Sequence, residues 1–100
     1  MTRSSPLGAF AETDGSWVFQ GPLTIDNAAH VLDETDTLPP PSTGIVDFRG
    51  LLQADSAALA VMIALKRRAE TEGRTLTLAS VPESLKSLAV VYGVDKLIDP

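Results

Sequence analysis

The residues best placed for chemistry are Asp55 and Ser56, an acid and a hydroxyl that open the longest helical pattern of the chain. A helix start leaves backbone N–H groups unpaired and carries a partial positive charge. Ser56 can therefore cap the helix through its side chain, which is the commoner role for serine there and contributes about 1 kcal/mol. Asp55 can do the same work with added charge, which would leave the Ser56 hydroxyl pointing outward. A free Ser56 could accept phosphate, adding about −1.5 to −2 charges where the helix dipole tolerates them. It would then be a control point on the surface offered to a partner.

Other chemistry finds little support. His30 is the single histidine, with Asp26, Asp33 and Glu34 at helical spacing around it. A histidine with carboxylates on an acidic helix is commonly a solvated face. One His and no Cys argue against a His-based triad or a zinc cage. The G-x-x-x-x-G-K-[ST] phosphate loop is missing, so the chain supplies no ATPase loop of its own. The paired acids Asp33 and Glu34 come with no sign of a pocket, so carboxylate catalysis is not expected. The expectation is a non-enzyme with no metal and no cofactor.

Composition narrows the class further. One hundred residues, 44% of them apolar, suit a single domain with a real core. The net charge of −5 disfavours nucleic acid and anionic lipid as direct partners. Seven acids precede Phe48 against Arg3 alone, whereas residues 49–100 hold seven bases against six acids. The first residues, Met1–Pro6, lack the apolar run of a signal peptide, and no window suits a membrane span. The expected location is the cytoplasm.

The elements that must position Asp55 and Ser56 follow from patterning. Residues 1–6 are expected to be a flexible tail and 7–100 one domain. Leu7–Glu12 reads as a strand, Thr13–Ser16 as a tight turn, and Trp17–Phe19 as a second strand ended by Gly21-Pro22. Thr24 or Asp26 can cap a helix running to about Thr35, with Ala28, Ala29 and Leu32 on one face and Ile25 a further apolar position. Pro39–Gly44 is an extended connector. Ile45–Phe48 is a third, central strand, followed by a loop marked by Gly50. A second helix runs from Ser56 to about Glu72 and closes on Gly73. Thr75–Ala79 is a fourth strand. Ser80 and Glu83 are spaced for a capping box on a third helix, with Pro82 in its first turn, Leu85, Leu88, Ala89 and Tyr92 together, and Gly93 as its end. Val94, Leu97 and Ile98 can pack the chain's end onto the core. The order implies an α/β fold: a small mixed four-stranded sheet with three helices, one sheet face left bare.

On a wheel, the second helix gathers Ala58, Leu59, Val61, Met62, Ile63, Leu65 and Ala69 on one broad arc. The opposite arc holds Ala57, Ala60, Ala64, Arg67, Arg68 and Thr71. Alanine there can serve simply as the best helix former. A flat alanine strip beside two arginines also suits a docking face.

These stretches resemble a known family. Gly21-Pro22-Leu23-Thr24 after a strand, Ile45-Val46-Asp47-Phe48, and Asp55-Ser56-Ala57-Ala58-Leu59-Ala60 are similar to the STAS domain of anti-sigma-factor antagonists, over about residues 15–98. The stretch from Val81 to Val94 most resembles the MlaB branch, the small cytoplasmic STAS subunits of Mla-type phospholipid-transport ABC complexes. That resemblance implies a non-catalytic subunit that docks on the ABC ATPase and, through it, on the permease at the inner membrane. The resemblance places Ser56 in the partner-contact region; taken together with the wheel, it makes Asp55, Ser56, Ala57, Ala60, Ala64, Arg67 and Arg68 the expected contact residues. In the antagonist branch the serine is instead phosphorylated by an anti-sigma kinase. Ala58 stands where antagonists usually carry glycine, which favours the transporter branch, and Pro22 replaces an acidic residue often found in the first motif.

Overall fold

The computed structural model describes residues 8–98. The expected tail over residues 1–6, the first residue of the expected opening strand (Leu7) and the last two residues of the expected domain lie outside them. The elements run β1 (Ala9–Thr13), β2 (Ser16–Leu23), α1 (Ala28–Thr35), β3 (Ile45–Ala54), α2 (Ser56–Thr71), β4 (Thr77–Ala79), α3 (Glu83–Val91) and α4 (Asp95–Ile98). The sheet order is β1-β2-β3-β4; β1 lies antiparallel to β2, and β2, β3 and β4 run parallel. The mixed four-stranded sheet is as expected, but a short fourth helix, α4, is added where only a packed tail was foreseen.

The β1–β2 hairpin turns on Asp14 and Gly15, both at positive φ (53° and 84°). This is the backbone twist a two-residue hairpin needs, and Asp and Gly are the residues that tolerate it. Beyond the hairpin, alternation sends Trp17, Phe19, Leu23, Val46, Phe48 and Leu78 into one core cluster with residues of all four helices. The helices cover that side of the sheet; Val18 and Asp47 pair on the other face, where Val18 is buried without a helix packed over it in the core cluster. Phe10 joins the core from β1, its ring 4.9 Å from Phe19 and 5.8 Å from Phe48. Such pairs add about 0.5–1.5 kcal/mol beyond burial. The Trp17 indole N–H donates to the Pro39 carbonyl at 2.9 Å and thereby pins the proline connector to the sheet.

Four sequence expectations are corrected. The second strand does not end at Gly21-Pro22. It continues to Leu23, because β1 accompanies it only as far as Gln20; past that point Pro22 has one neighbouring strand and its missing N–H costs no ladder bond there. Gly50 marks no loop, since β3 runs unbroken to Ala54. Between Val18 and Gln20 the partner advances from Asp47 to Gly50, and between Gly21 and Pro22 it advances from Leu51 to Gln53. Each shift inserts one extra residue in β3, a bulge that breaks the two-residue period. Gly50 sits there because a Cβ would lie 2.6 Å from the Phe19 carbonyl oxygen. Neither Thr24 nor Asp26 caps α1, which begins after Asn27; Thr24 and Asn27 instead close the turn that precedes it. Val31 is that helix's buried apolar residue, whereas Ala29 is exposed.

The fourth correction concerns α3. Ser80 adopts a left-handed conformation (φ 59°) and Pro82 holds the cap position, so no Ser80–Glu83 capping box forms. Leu85 and Ala89 are buried, Leu88 partly so, and Tyr92 faces solvent. Both glycine stops behave as expected. Arg74 and Val94 each donate back to the Ala69 and Ala89 carbonyls, and Gly73 and Gly93 to Glu70 and Val90, the paired bonds of a Schellman motif.

Gly50→Ala should destabilise the fold by about 1–3 kcal/mol, because the neighbouring atoms include strand backbone that must shift. Urea unfolding followed by Trp17 fluorescence measures it; an unchanged midpoint would mean that the strands separate there at no cost.

Candidate docking site at the start of helix α2

Helix α2 lies against the sheet through Ala58, Leu59, Val61, Met62, Leu65 and Ala69, all buried. Its first turn is fixed by Asp55, whose backbone is extended (φ −131°, ψ −166°) as a cap position requires. Asp55 Oδ1 accepts the Ala57 N–H at 2.8 Å, and its carbonyl accepts the Ala58 N–H at 3.0 Å. Asp55 Oδ2 accepts a third bond, from the Ile25 N–H at 3.0 Å. One carboxylate thus caps α2 and ties down the turn between β2 and α1. Both carboxylate bonds have an ionised acceptor, which makes them stronger than neutral ones.

Cap duty therefore falls to Asp55, not to Ser56. Ser56 is the first residue inside the helix. It is exposed, and its hydroxyl makes no hydrogen bond among the described residues. Along the outer line of α2, Ala60 and Arg67 are exposed as well, while Ala57 and Ala64 are half-buried. Arg67 follows Ser56 by eleven residues, about 16 Å along the axis. Arg68 belongs to another neighbourhood. Its guanidinium reaches Asp36 at 3.1 Å and donates to the buried Thr35 hydroxyl at 3.0 Å, so it faces the end of α1. The structure therefore divides the seven residues singled out in the sequence: Ser56, Ala60 and Arg67 form an outer line, Ala57 and Ala64 flank it, Asp55 supports it from beneath, and Arg68 locks α1 to α2.

Ile25 was seen in the sequence only as an apolar helix position; it is 77% exposed and bonded through its N–H to Asp55. No spacing rule signals such a contact, because the two residues are 30 apart in the chain. His30 stands 3.8 Å from Glu34 on the exposed face of α1. Among the described residues no group of three or more His, Asp or Glu is gathered as a metal site would need. A half-open hollow of about 320 Å³ lies at the far end of α2. Its cations are already matched, Arg68 to Asp36 and Arg74 to Glu72. No described helix is long and apolar enough to cross a membrane.

The division of labour between neighbours is measurable. Asp55→Ala should cost about 1–2 kcal/mol of stability, because it removes a helix cap and leaves the Ile25 N–H without its acceptor. Ser56→Ala should stay within about 0.5 kcal/mol of the parent. Chemical denaturation of both variants checks this, and equal losses would return the cap to Ser56.

Comparison with known proteins agrees with this architecture. A search of curated proteins returned no match. A family model described as "Mlab, STAS domain" matches residues 18–99. That span runs from within β2 through α4, with the Asp55–Ser56 corner inside it. The chain belongs to the STAS-domain family, in its MlaB-type branch.

Proposed function

We propose that this chain is a non-catalytic STAS subunit that binds the ATPase of an Mla-type ABC transporter. It supports the transporter's assembly and activity in phospholipid transport and outer-membrane lipid asymmetry. It works on the cytoplasmic side of the inner membrane and reaches the permease only through the ATPase. The observation that carries this reading is the exposed Ser56 hydroxyl at the head of α2 in an MlaB-type domain, relieved of structural duty by Asp55. A hydrogen-bonding group on a well-supported helix start can be desolvated by a partner without cost to the fold, as residues at the centre of an interface require. The exposed Ala60 lets another backbone approach the helix closely, and Arg67 offers a cation at the far end of the same line.

Ser56→Arg tests it. The variant should remain folded, because Ser56 supports neither core nor cap. Its affinity for the cognate ATPase should fall by about tenfold or more, the loss of roughly 1.4 kcal/mol at a central contact. Full-strength binding by the folded variant, read by calorimetric titration, would remove Ser56 from the interface.

The free hydroxyl also favours a second reading: an anti-sigma-factor antagonist whose Ser56 gains and loses phosphate, with an anti-sigma kinase as partner. Ala58, where antagonists usually carry glycine, is fully buried in the core and gives the serine turn less backbone freedom than glycine would. Incubation with ATP and a cognate anti-sigma kinase, followed by intact mass, separates the two. The transporter reading expects no phosphate on Ser56; stoichiometric phosphorylation would reverse the order of the readings.

A further inference from the structure

Ile25 is a large apolar side chain whose exposure the fold does not require. It is 77% exposed, two residues after the fully buried Leu23. Its backbone is held firmly. The Ile25 N–H bonds to Asp55 Oδ2 at 3.0 Å. The surrounding turn is closed by Thr24 N–H to Asn27 Oδ1 at 2.9 Å and Asp26 N–H to Thr24 Oγ1 at 3.3 Å, while the Asn27 amide donates to the Pro22 carbonyl at 2.9 Å. A side chain on a pre-ordered backbone loses little freedom on binding, which suits an interface anchor. Through Asp55 it is tied to the residue next to Ser56.

The charge on its stretch of the chain has one sign. Asp26, Asp33 and Glu34 are exposed, and no Lys or Arg occurs between Pro22 and Arg49. His30 lies near Glu34, but Asp26 and Asp33 have no ion-pair partner among the described residues. The corner is an apolar knob followed directly by Asp26, at the head of a stretch with acidic and no Lys or Arg side chains. We infer that Ile25 is an anchor of the docking face, that Asp26 and Asp33 form its electrostatic rim, and that the partner is a protein surface offering an apolar recess bordered by Lys or Arg. This rests on the docking role proposed above and adds the chemistry the ATPase must present. Central apolar anchors act mainly on dissociation, whereas rim charges act on association and its salt dependence.

Binding kinetics of the full chain with the cognate ATPase, at about 50 and about 300 mM salt, test the inference. Ile25→Ser keeps the backbone N–H and so preserves the bond to Asp55; it should weaken binding about tenfold or more, chiefly through faster dissociation. Asp26→Asn with Asp33→Asn should slow association several-fold at low salt and flatten its salt dependence. Val91→Ser, at an equally exposed valine on α3, should change neither. Ile25→Ser binding within about twofold of the parent overturns the anchor, and an unchanged salt dependence in the double variant overturns the basic partner. Self-association of the parent chain that Ile25→Ser abolishes would make the occupant a second copy and overturn the inference too. If Ser56→Arg abolishes ATPase binding while Ile25→Ser does not, the docking role stands and this inference falls; if the parent chain does not bind the ATPase, both fall.

Discussion

A single carboxylate joins the parts of this molecule that would otherwise have no reason to meet. Asp55 accepts one N–H from the first turn of α2 and another from the turn that leads into α1. The first bond supplies the acceptor that a helix start needs, on an anion that the helix dipole favours. The second fixes Ile25 beside that start. Because both demands fall on one residue, the neighbouring hydroxyl of Ser56 has no structural task. The chemical character of the corner, a spare hydroxyl next to a held apolar side chain, follows from how Asp55 uses its two oxygens.

The rest of the fold keeps that corner in place. The helices lie on one face of the sheet, and α2 is buried along one side by six residues. The two register shifts between β2 and β3 let β3 run on to Ala54 and deliver Asp55 beyond the end of the sheet. At the opposite end of α2, Arg68 binds Asp36 and Thr35 and fixes α1 against α2. The two helices are thus joined at both ends, by Asp55 at one and Arg68 at the other. A contact made at the Ser56 corner meets a surface that is already ordered, and little conformational entropy is left for a partner to remove.

The alanines of α2 serve two purposes at once. Ala58 and Ala69 are buried where the helix meets the core, and Ala60 lies on the outer line. Alanine forms helix well in either setting. Composition alone therefore did not separate a helix built for stability from one built for contact; the exposed Ser56 beside a capping Asp55 is what favours contact.

Much of this protein was legible as local pattern. Asp14-Gly15 specified a tight hairpin, Gly73 and Gly93 specified helix ends, and the apolar arc of α2 specified its buried side, because each depends on a residue and its near neighbours. The α/β order of elements and the family resemblance rested on the same kind of information. Most of what failed was set by residues far apart. Gly50 looked like a loop because only the approach of Phe19 from another strand explains it. Pro22 looked like a strand end because the reach of β1 was unknown. Ser80 and Glu83 had the spacing of a capping box, but the chain enters α3 through a left-handed turn. Arg68 shared a wheel arc with Arg67 until Asp36 and Thr35 claimed it. Ser56 was the favoured cap by pattern, but Asp55 takes the Ala57 N–H on one oxygen and the Ile25 N–H on the other. The chain by itself determined which helix, which strands and which pair of residues matter, since periodicity and turn chemistry act over a few residues. Tertiary structure alone decided which of that pair bears the fold and which is left free, since hydrogen bonds between distant segments exist only after the sheet has brought them together.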